Sequence, residues 1–277
     1  LLKELGNLQE AEFSYRKAIE INPNYANAHS NLGNVLRDLG NLQEAEFSYR
    51  KAIEINADVP NIHSQIGNVL RDLGKLQDAF DSYLKAIDIN PTNDEIYNTI
   101  SIFLRDADMS QLDKSKMKEI LNILLDRIDL SHQDLFKVFN FLYGNEITIN
   151  LAKIDSDFSK IELLSNNKVI INALKKIVFK DPKLEGLLIK LRKNICHRIA
   201  KKKEDLTNLQ LKLLIALAEQ CFSNEYIYSI EVEEAKSLNK IIAICKEHKL
   251  TETNLSVLAC YLPLYKLLDQ IPSIKGF

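Results

Sequence analysis

The chain has 277 residues, 46% hydrophobic and 27% charged, which is too apolar for disorder and long enough for one helical array or two medium domains. Its 36 basic and 38 acidic side chains leave a formal charge of −2, so no global field draws it to nucleic acid or to an anionic membrane. With eight glycines and six prolines, turn formers are scarce, which points to helices joined by short loops, and no run approaches the ~18 apolar residues that span a bilayer.

In chain order, LLKELGNLQE lacks the basic start and cleavage pattern of a signal peptide. It reads as the tail of a helix whose beginning is missing, and the chain reads as a fragment. LGNLQEAEFSYRKAIEIN then runs from Leu5 to Asn22 and recurs unchanged from Leu39 to Asn56, 34 residues on. A looser copy, LGKLQDAFDSYLKAIDIN, occupies Leu73–Asn90 at the same interval. The stretches between them also match, LGNVLRDLG at Leu32–Gly40 against IGNVLRDLG at Ile66–Gly74. INPN and INPT stop a helix, because Pro disfavours helix in the residue before it and then starts the next element. A single such block cannot bury its apolar face, whereas a stack of them can.

A 34-residue period with this content resembles the tetratricopeptide repeat, an antiparallel helix pair stacked into a superhelix. In the copy beginning at Ala26, Leu32-Gly33 and Leu36 match the first helix of the family pattern, and Ala45, Tyr49 and Ala52 match the small–aromatic–small positions of the second. Ile66-Gly67, Leu70, Ala79, Tyr83 and Ala86 repeat the pattern, and Ala11, Tyr15, Ala18 and Pro23 supply a truncated first copy. The family's usual Trp is replaced by His29 and His63, and the closing Pro by Ala57 in the middle copy. The resemblance implies an all-α fold, a TPR-type α-α superhelix (a solenoid). Gly33 and Ala45 are small because the paired helices approach closely, and Tyr49 and Tyr83 give bulk to the same seam. His29 and His63 lack accompanying carboxylates or thiols at ligand spacing and read as packed core histidines, with no metal.

The resemblance also implies that first helices line a concave groove and that their outward residues choose the ligand. On this sequence those residues are Asn27, Ser30, Asn31, Asn34, Arg37 and Asp38, then Asn61, Ser64, Gln65, Asn68, Arg71 and Asp72. Asn offers donor and acceptor together and suits a peptide backbone, or it merely caps and solvates a helix. A similar Asn ladder occurs in the repeats of the O-linked N-acetylglucosamine transferases. If the asparagines serve binding alone, Asn34→Ala with Asn68→Ala weakens partner capture and leaves the melting temperature nearly unchanged.

A fourth first helix begins near Asp94 with IYNTISIFLRDAD, but Ser101 replaces the Gly, no second helix follows in register, and the period is gone from about Ser110. Residues 1–109 are therefore expected to form the repeats, with the first copy truncated and the fourth degenerate, and 110–277 an irregular α-helical domain. Ser131 with Asp134 resembles a capping box before LFKVFNFLYG, which ends on Gly144 as on a C-cap. Asp181-Pro182 starts a helix whose stripe is Leu184, Leu187, Leu188, Leu191, Ile195 and Ile199. Leu211–Ala218 is apolar nearly all round, as in a central buried helix, and further helices are expected over Glu231–Glu247 and Thr253–Leu268. Between Lys180 and Lys203, nine basic residues face two acids; they lie opposite the apolar stripe without interleaved aromatics and read as a solvated face.

LEGLLIKLRKNI and IALAEQCFSNEYIYSIEVEEAKSL resemble the helical region before the S-adenosylmethionine-dependent domain of bacterial tetratricopeptide–methyltransferase fusions, through Gln220-Cys221-Phe222 and Asn224-Glu225-Tyr226-Ile227-Tyr228. Read from the residues alone, the stretch is a helix end passing into an acidic turn, with Asn224 as a cap. The chain has no GxGxxG, GxSxG, HExxH or phosphate-binding loop, and acid pairs such as Asp155/Asp157 and Glu233/Glu234 read as solvent-facing. No catalytic residue, cofactor or metal is expected, and a catalytic domain would have to follow Phe277. Cys196, Cys221, Cys245 and Cys260 stand singly and read as buried thiols in a reducing, cytoplasmic compartment. The leading expectation is a scaffold that holds a protein or peptide in the repeat groove, without nucleic acid or membrane. The alternatives are the substrate-recruiting part of a methyltransferase and the repeat part of a glycosyltransferase-like protein. Weak self-association through the truncated first repeat is expected besides.

Overall fold

The computed structural model describes residues 2–179, 181–201, 206–223, 230–247, 251–263, 266, 267, 269 and 271, with backbone alone for 2–6. Every regular element among them is helical, as expected of an all-α chain. The chain divides into two compact units, Leu1–Met117 and Lys118–Phe277.

The first unit is the stack of paired helices. After α1 (Leu2–Ile21), helix pairs follow as α2 (Ala26–Asp38) with α3 (Leu42–Ile55) and α4 (Pro60–Asp72) with α5 (Leu76–Ile89); α6 (Asp94–Asp106) comes next, and α7 (Lys114–Asp126) carries the chain into the second unit. The seam within each pair is built on a glycine. Tyr49 and Tyr83 are wholly buried, and a Cβ on Gly33 would stand 2.9 Å from the Tyr49 ring, one on Gly67 only 2.6 Å from the Tyr83 ring. The small residue thus makes room for the aromatic one, while Ala45, Ala52, Ala79 and Ala86, also fully buried, let the neighbouring helices close in.

Between first and second helices the chain reverses at Gly40 and Gly74, with φ of +82° and +76°. There Gly40 N–H donates to Arg37 O and Asn41 N–H to Leu36 O, the paired bonds of a Schellman turn, and Gly74 and Lys75 repeat them. Second helices close on an asparagine: Oδ1 of Asn22, Asn56 and Asn90 accepts the N–H two residues on. This local bond stops the helix in the middle copy even though Ala57 stands where the others have Pro. First helices are anchored four positions in: His29 and His63 bond the carbonyls of Pro23 and Ala57 through Nε2, and the Tyr97 hydroxyl donates to that of Pro91. The histidines are packed structural groups, as expected.

Two departures from expectation have local causes. Leu5–Ile21 is identical to Leu39–Ile55, yet α1 runs straight through Gly6 where the second copy turns. A Schellman turn forms at Gly40 where α2 precedes and packs on α3, and the same residues run on as helix at Gly6. At the far end, Asp108 occupies the position of Gly40 and Gly74, where φ must be positive, and the turn is replaced. Asp108 Oδ1 instead holds Ser110 N–H and hydroxyl, a 3-10 turn forms over Met109–Gln111, and α7 begins four residues late for the period.

The second unit contains α8 (Phe136–Ala152), α9 (Lys160–Ser165), α10 (Lys168–Lys176), α11 (Pro182–Ala200), α12 (Asn208–Ser223), α13 (Val232–Lys246) and α14 (Glu252–Ala259). Asp181 caps α11 through Oδ1, 2.8 Å from Lys183 N, with Pro182 in the first turn. The α11 stripe is buried, Leu187 only in part, and α12 is largely enclosed. Ser131 makes no capping bond, and Gly144 ends nothing: α8 continues through it because Ile147 and Leu151 prolong the buried stripe of Phe139 and Tyr143. Burial of those side chains outweighs the ~1 kcal/mol that Gly costs inside a helix. The end of the expected Thr253–Leu268 helix falls partly outside the described residues; α14 stops at Ala259.

Polar groups are buried here as well. Arg192, taken in the sequence for part of a solvated face, is 3% exposed; Glu234, taken for a solvent-facing acid, is 1% exposed. The guanidinium donates to Glu234 Oε1 (3.1 Å) and lies over the Tyr261 ring, while the Tyr261 hydroxyl donates to the same oxygen (2.6 Å). Removing one charge from such a set costs more than the set contributes, because the other is left buried alone. Glu234→Gln is therefore expected to destabilise the chain by about 3 kcal/mol in urea unfolding, and Arg192→Met with Glu234→Leu and Tyr261→Phe to recover most of that loss. In the first unit, Gly67→Ala should cost about 1–2 kcal/mol and Gly33→Ala somewhat less, since both press Cβ inside the ring's contact distance and the former by more.

Candidate interaction face

The candidate residues lie along one stripe of α2 and of α4, at steps of three and four residues. Asn27, Asn31 and Asp38 are exposed on α2, Asn34 and Arg37 half-buried, and Ser30 buried. On α4, Asn61, Arg71 and Asp72 are exposed, and Ser64, Gln65 and Asn68 half-buried. The period extends the stripe to α6, which carries Glu95, Asn98, Thr99, Ile102, Arg105 and Asp106 at the same places. Asp106 acts electrostatically on Arg71, so rows on successive first helices are neighbours. The α6 row was within reach of the sequence, by adding one more period.

Charge along the stripe is neutralised in place. Arg37 pairs with Asp38 (3.1 Å), Arg71 with Asp72 (2.9 Å) and Arg105 with Asp106 (2.8 Å). Exposed pairs of this kind stabilise little, but each guanidinium holds a carboxylate beside it.

Asn34 and Asn68 are tied to the helix seam. The Tyr49 hydroxyl donates to Asn34 Oδ1 (2.7 Å) and the Tyr83 hydroxyl to Asn68 Oδ1 (2.9 Å). Burial pushes both phenols up to about 12, so they keep their protons. Sequence reasoning set tyrosine in the core and asparagine on the surface without joining them. A signal was present: the fourth copy has Ile102 and Met117 at these positions, so both polar partners are lost together.

On another side of the stack, grooves recur between one second helix and the pair after it. One of ≈ 450 Å³ is lined by Ile19, Leu32 and Phe47 with Arg16, Glu44 and His29. Its counterpart one period on, ≈ 480 Å³, has Asp81 where the first has Phe47. Arg16 already bonds Glu44 and Glu12, and no residue of the candidate stripe lines either groove.

Family models now bear on these geometries. One described as TPR repeat matches residues 1–36 and 67–100, and one described as tetratricopeptide repeat matches 26–58. The matched stretches, 1–58 and 67–100, are tetratricopeptide repeats. Among solved structures, a tetratricopeptide repeat protein from Parabacteroides merdae ATCC 43184 is similar at 16% identity, over 92% of this chain and 92% of that one, with a TM-score of 0.40. BtubC (BKLC) from P. vanneervenii is similar at 11% identity, over 99% of this chain and 92% of that one, with a TM-score of 0.32. The comparison with curated proteins returns no match. Tetratricopeptide repeats are in general protein-interaction modules, which makes the first-helix stripe the face to consider.

Of the stretch that resembles methyltransferase fusions, Asn224 to Tyr228 lie outside the described residues. Gln220 and Cys221 are both buried and structural. Oriented to satisfy its neighbours, the Gln220 carboxamide donates to Leu174 O (2.7 Å) and Ile177 O (2.8 Å) and accepts from Phe179 N–H (3.1 Å). Gln133 grips Val178 N–H and O in the same manner, so two side chains serve the extended segment as a strand partner would. All four cysteines are buried and free. No helix among the described residues is long and apolar enough to cross a membrane.

The Tyr–Asn bonds revise the expectation for alanine at the two asparagines. Asn34→Ala with Asn68→Ala leaves two buried hydroxyls without an acceptor, at about 1–3 kcal/mol each. The melting temperature is therefore expected to fall by several degrees, and Tyr49→Phe with Tyr83→Phe in the same background to restore most of the loss, as thermal unfolding followed by circular dichroism will show.

Proposed function

We propose that the first-helix stripe of the tetratricopeptide repeats is a groove that holds a peptide or protein segment in extended form, and that the chain is an interaction scaffold. The observation that supports this is the continuity of one polar row over α2, α4 and α6, with Asn31, Gln65 and Thr99 at equivalent places beside the Asn34/Asn68 and Arg–Asp positions. Such a row, largely polar and with Glu95 as its one acid beyond the three Arg–Asp pairs, suits a ligand recognised mainly through its backbone, since main-chain amides carry a donor and an acceptor at every residue whatever the side chain.

The test is binding to an array of random 15-residue peptides by the chain and by its Asn31→Arg, Gln65→Arg variant. Asn31 is exposed and Gln65 half-buried, and neither forms part of the helix seam, so the variant should melt within a few degrees of the parent. A shared set of bound peptides that weakens at least about tenfold in the variant supports the groove. Equal binding by parent and variant places the ligand elsewhere on the molecule.

A further inference from the structure

We infer that the Tyr49 and Tyr83 hydroxyls are positioning residues, which hold the carboxamides of Asn34 and Asn68 with oxygen inward and nitrogen outward, so that the groove presents N–H donors one repeat apart to neutral carbonyl oxygens of an extended peptide. The inference rests on the groove reading above and specifies its ligand chemistry.

Gly33 and Gly67 let each tyrosine reach across its helix pair, and the ring is clamped on a face where a single methyl would not fit. Its hydroxyl is thereby fixed in place. Each hydroxyl is wholly buried, and among the described residues its one hydrogen-bond partner is the asparagine Oδ1. If the carboxamide were turned round, nitrogen would meet the hydroxyl, and the phenolic proton would have no acceptor in a site closed to water. Burial, which raises the phenol to about 12, keeps that proton present at any ordinary pH. The inward oxygen leaves the two Nδ2 protons on the half-exposed side of Asn34 and of Asn68.

Charge narrows the ligand further. An N–H donor suits a carboxylate as well as a peptide carbonyl, but Asp38, Asp72 and Asp106 stand on the same row, each beside its own arginine. Each arginine of the row has a carboxylate beside it and Glu95 adds one more acid, so a ligand anion meets a slightly negative row and loses its water for little return. A peptide carbonyl brings no such penalty. The fourth copy is consistent with this division: with Met117 in place of tyrosine, the position equivalent to Asn34 is Ile102, so the donor ladder has two rungs and ends in an apolar contact.

Two measurements on the full chain test this. The first needs no ligand: in NMR spectra, the Nδ2 protons of Asn34 and Asn68 should show no strong NOE to the Hε protons of Tyr49 and Tyr83, and a strong NOE would show nitrogen facing the ring and overturn the inference. The second uses an array of random 15-residue peptides in neutral and acidic subsets, probed with the chain and with Tyr49→Phe, Tyr83→Phe. The chain should favour neutral peptides. The variant should melt nearly as the parent does, bind the same peptides about 3- to 10-fold more weakly, and lose the neutral preference as its carboxamides turn freely. A parent that favours acidic peptides, or a variant that keeps both affinity and preference, overturns the positioning role while leaving the groove standing. A parent that binds no peptide at all removes the groove and the ligand class together, with the NOE still deciding the amide orientation.

Discussion

A glycine under a tyrosine ring is the contact on which the repeat unit depends. Gly33 and Gly67 bring the paired helices close enough for Tyr49 and Tyr83 to cross the seam, and the rings deliver their hydroxyls to the far side of the first helix. Packing and surface chemistry are therefore not separate layers here. The same tyrosine that fills the seam ends on the carboxamide that faces outward, so the orientation of a surface group is decided inside the core. The three positions change as a set in the last copy, to Ser101, Met117 and Ile102, and Ser101 Oγ is left buried without a hydrogen-bond partner. Once the glycine is gone, that copy has no ring and no carboxamide.

The stack also shows how far local sequence can be overruled. Leu5–Ile21 and Leu39–Ile55 are the same residues, yet the first is one straight helix and the second is a turn followed by a helix. Gly40 can adopt positive φ, but nothing in the glycine compels it; the Schellman bonds form where α2 and α3 have a seam to close. The opposite limit is Asp108, whose φ is −78° and whose carboxylate holds a 3-10 segment in place of the turn.

In the second unit, specificity is carried by buried polar groups instead of a repeated pattern. Arg192, Glu234 and Tyr261 join α11, α13 and the turn after α14, and Gln133 and Gln220 hold Ile177–Phe179 by its backbone. Glu234 also takes the N–H of Glu231 in a capping box, so one carboxylate serves a helix start and a buried ion pair together. Cys196 and Cys260 lie in this same interior, where burial raises both thiols, Cys196 to about 11. In these groups a buried polar atom finds its partner on an element distant in the chain, which favours one packing over others.

What the sequence determined by itself was whatever repeats or acts locally: the period, the helix pairs, the small-and-aromatic seam, the Asp181-Pro182 start and the positions of the outward stripe. Those follow from spacing and from backbone rules that operate within a few residues. Tertiary structure decided whether Gly6 turns, whether Gly144 ends a helix, whether Arg192 and Glu234 meet water or each other, and which atom of Asn34 faces outward. Each of those choices depends on a neighbour distant in the chain, because a glycine, a charge or an amide takes its role from what lies against it, and that is fixed only when the helices pack.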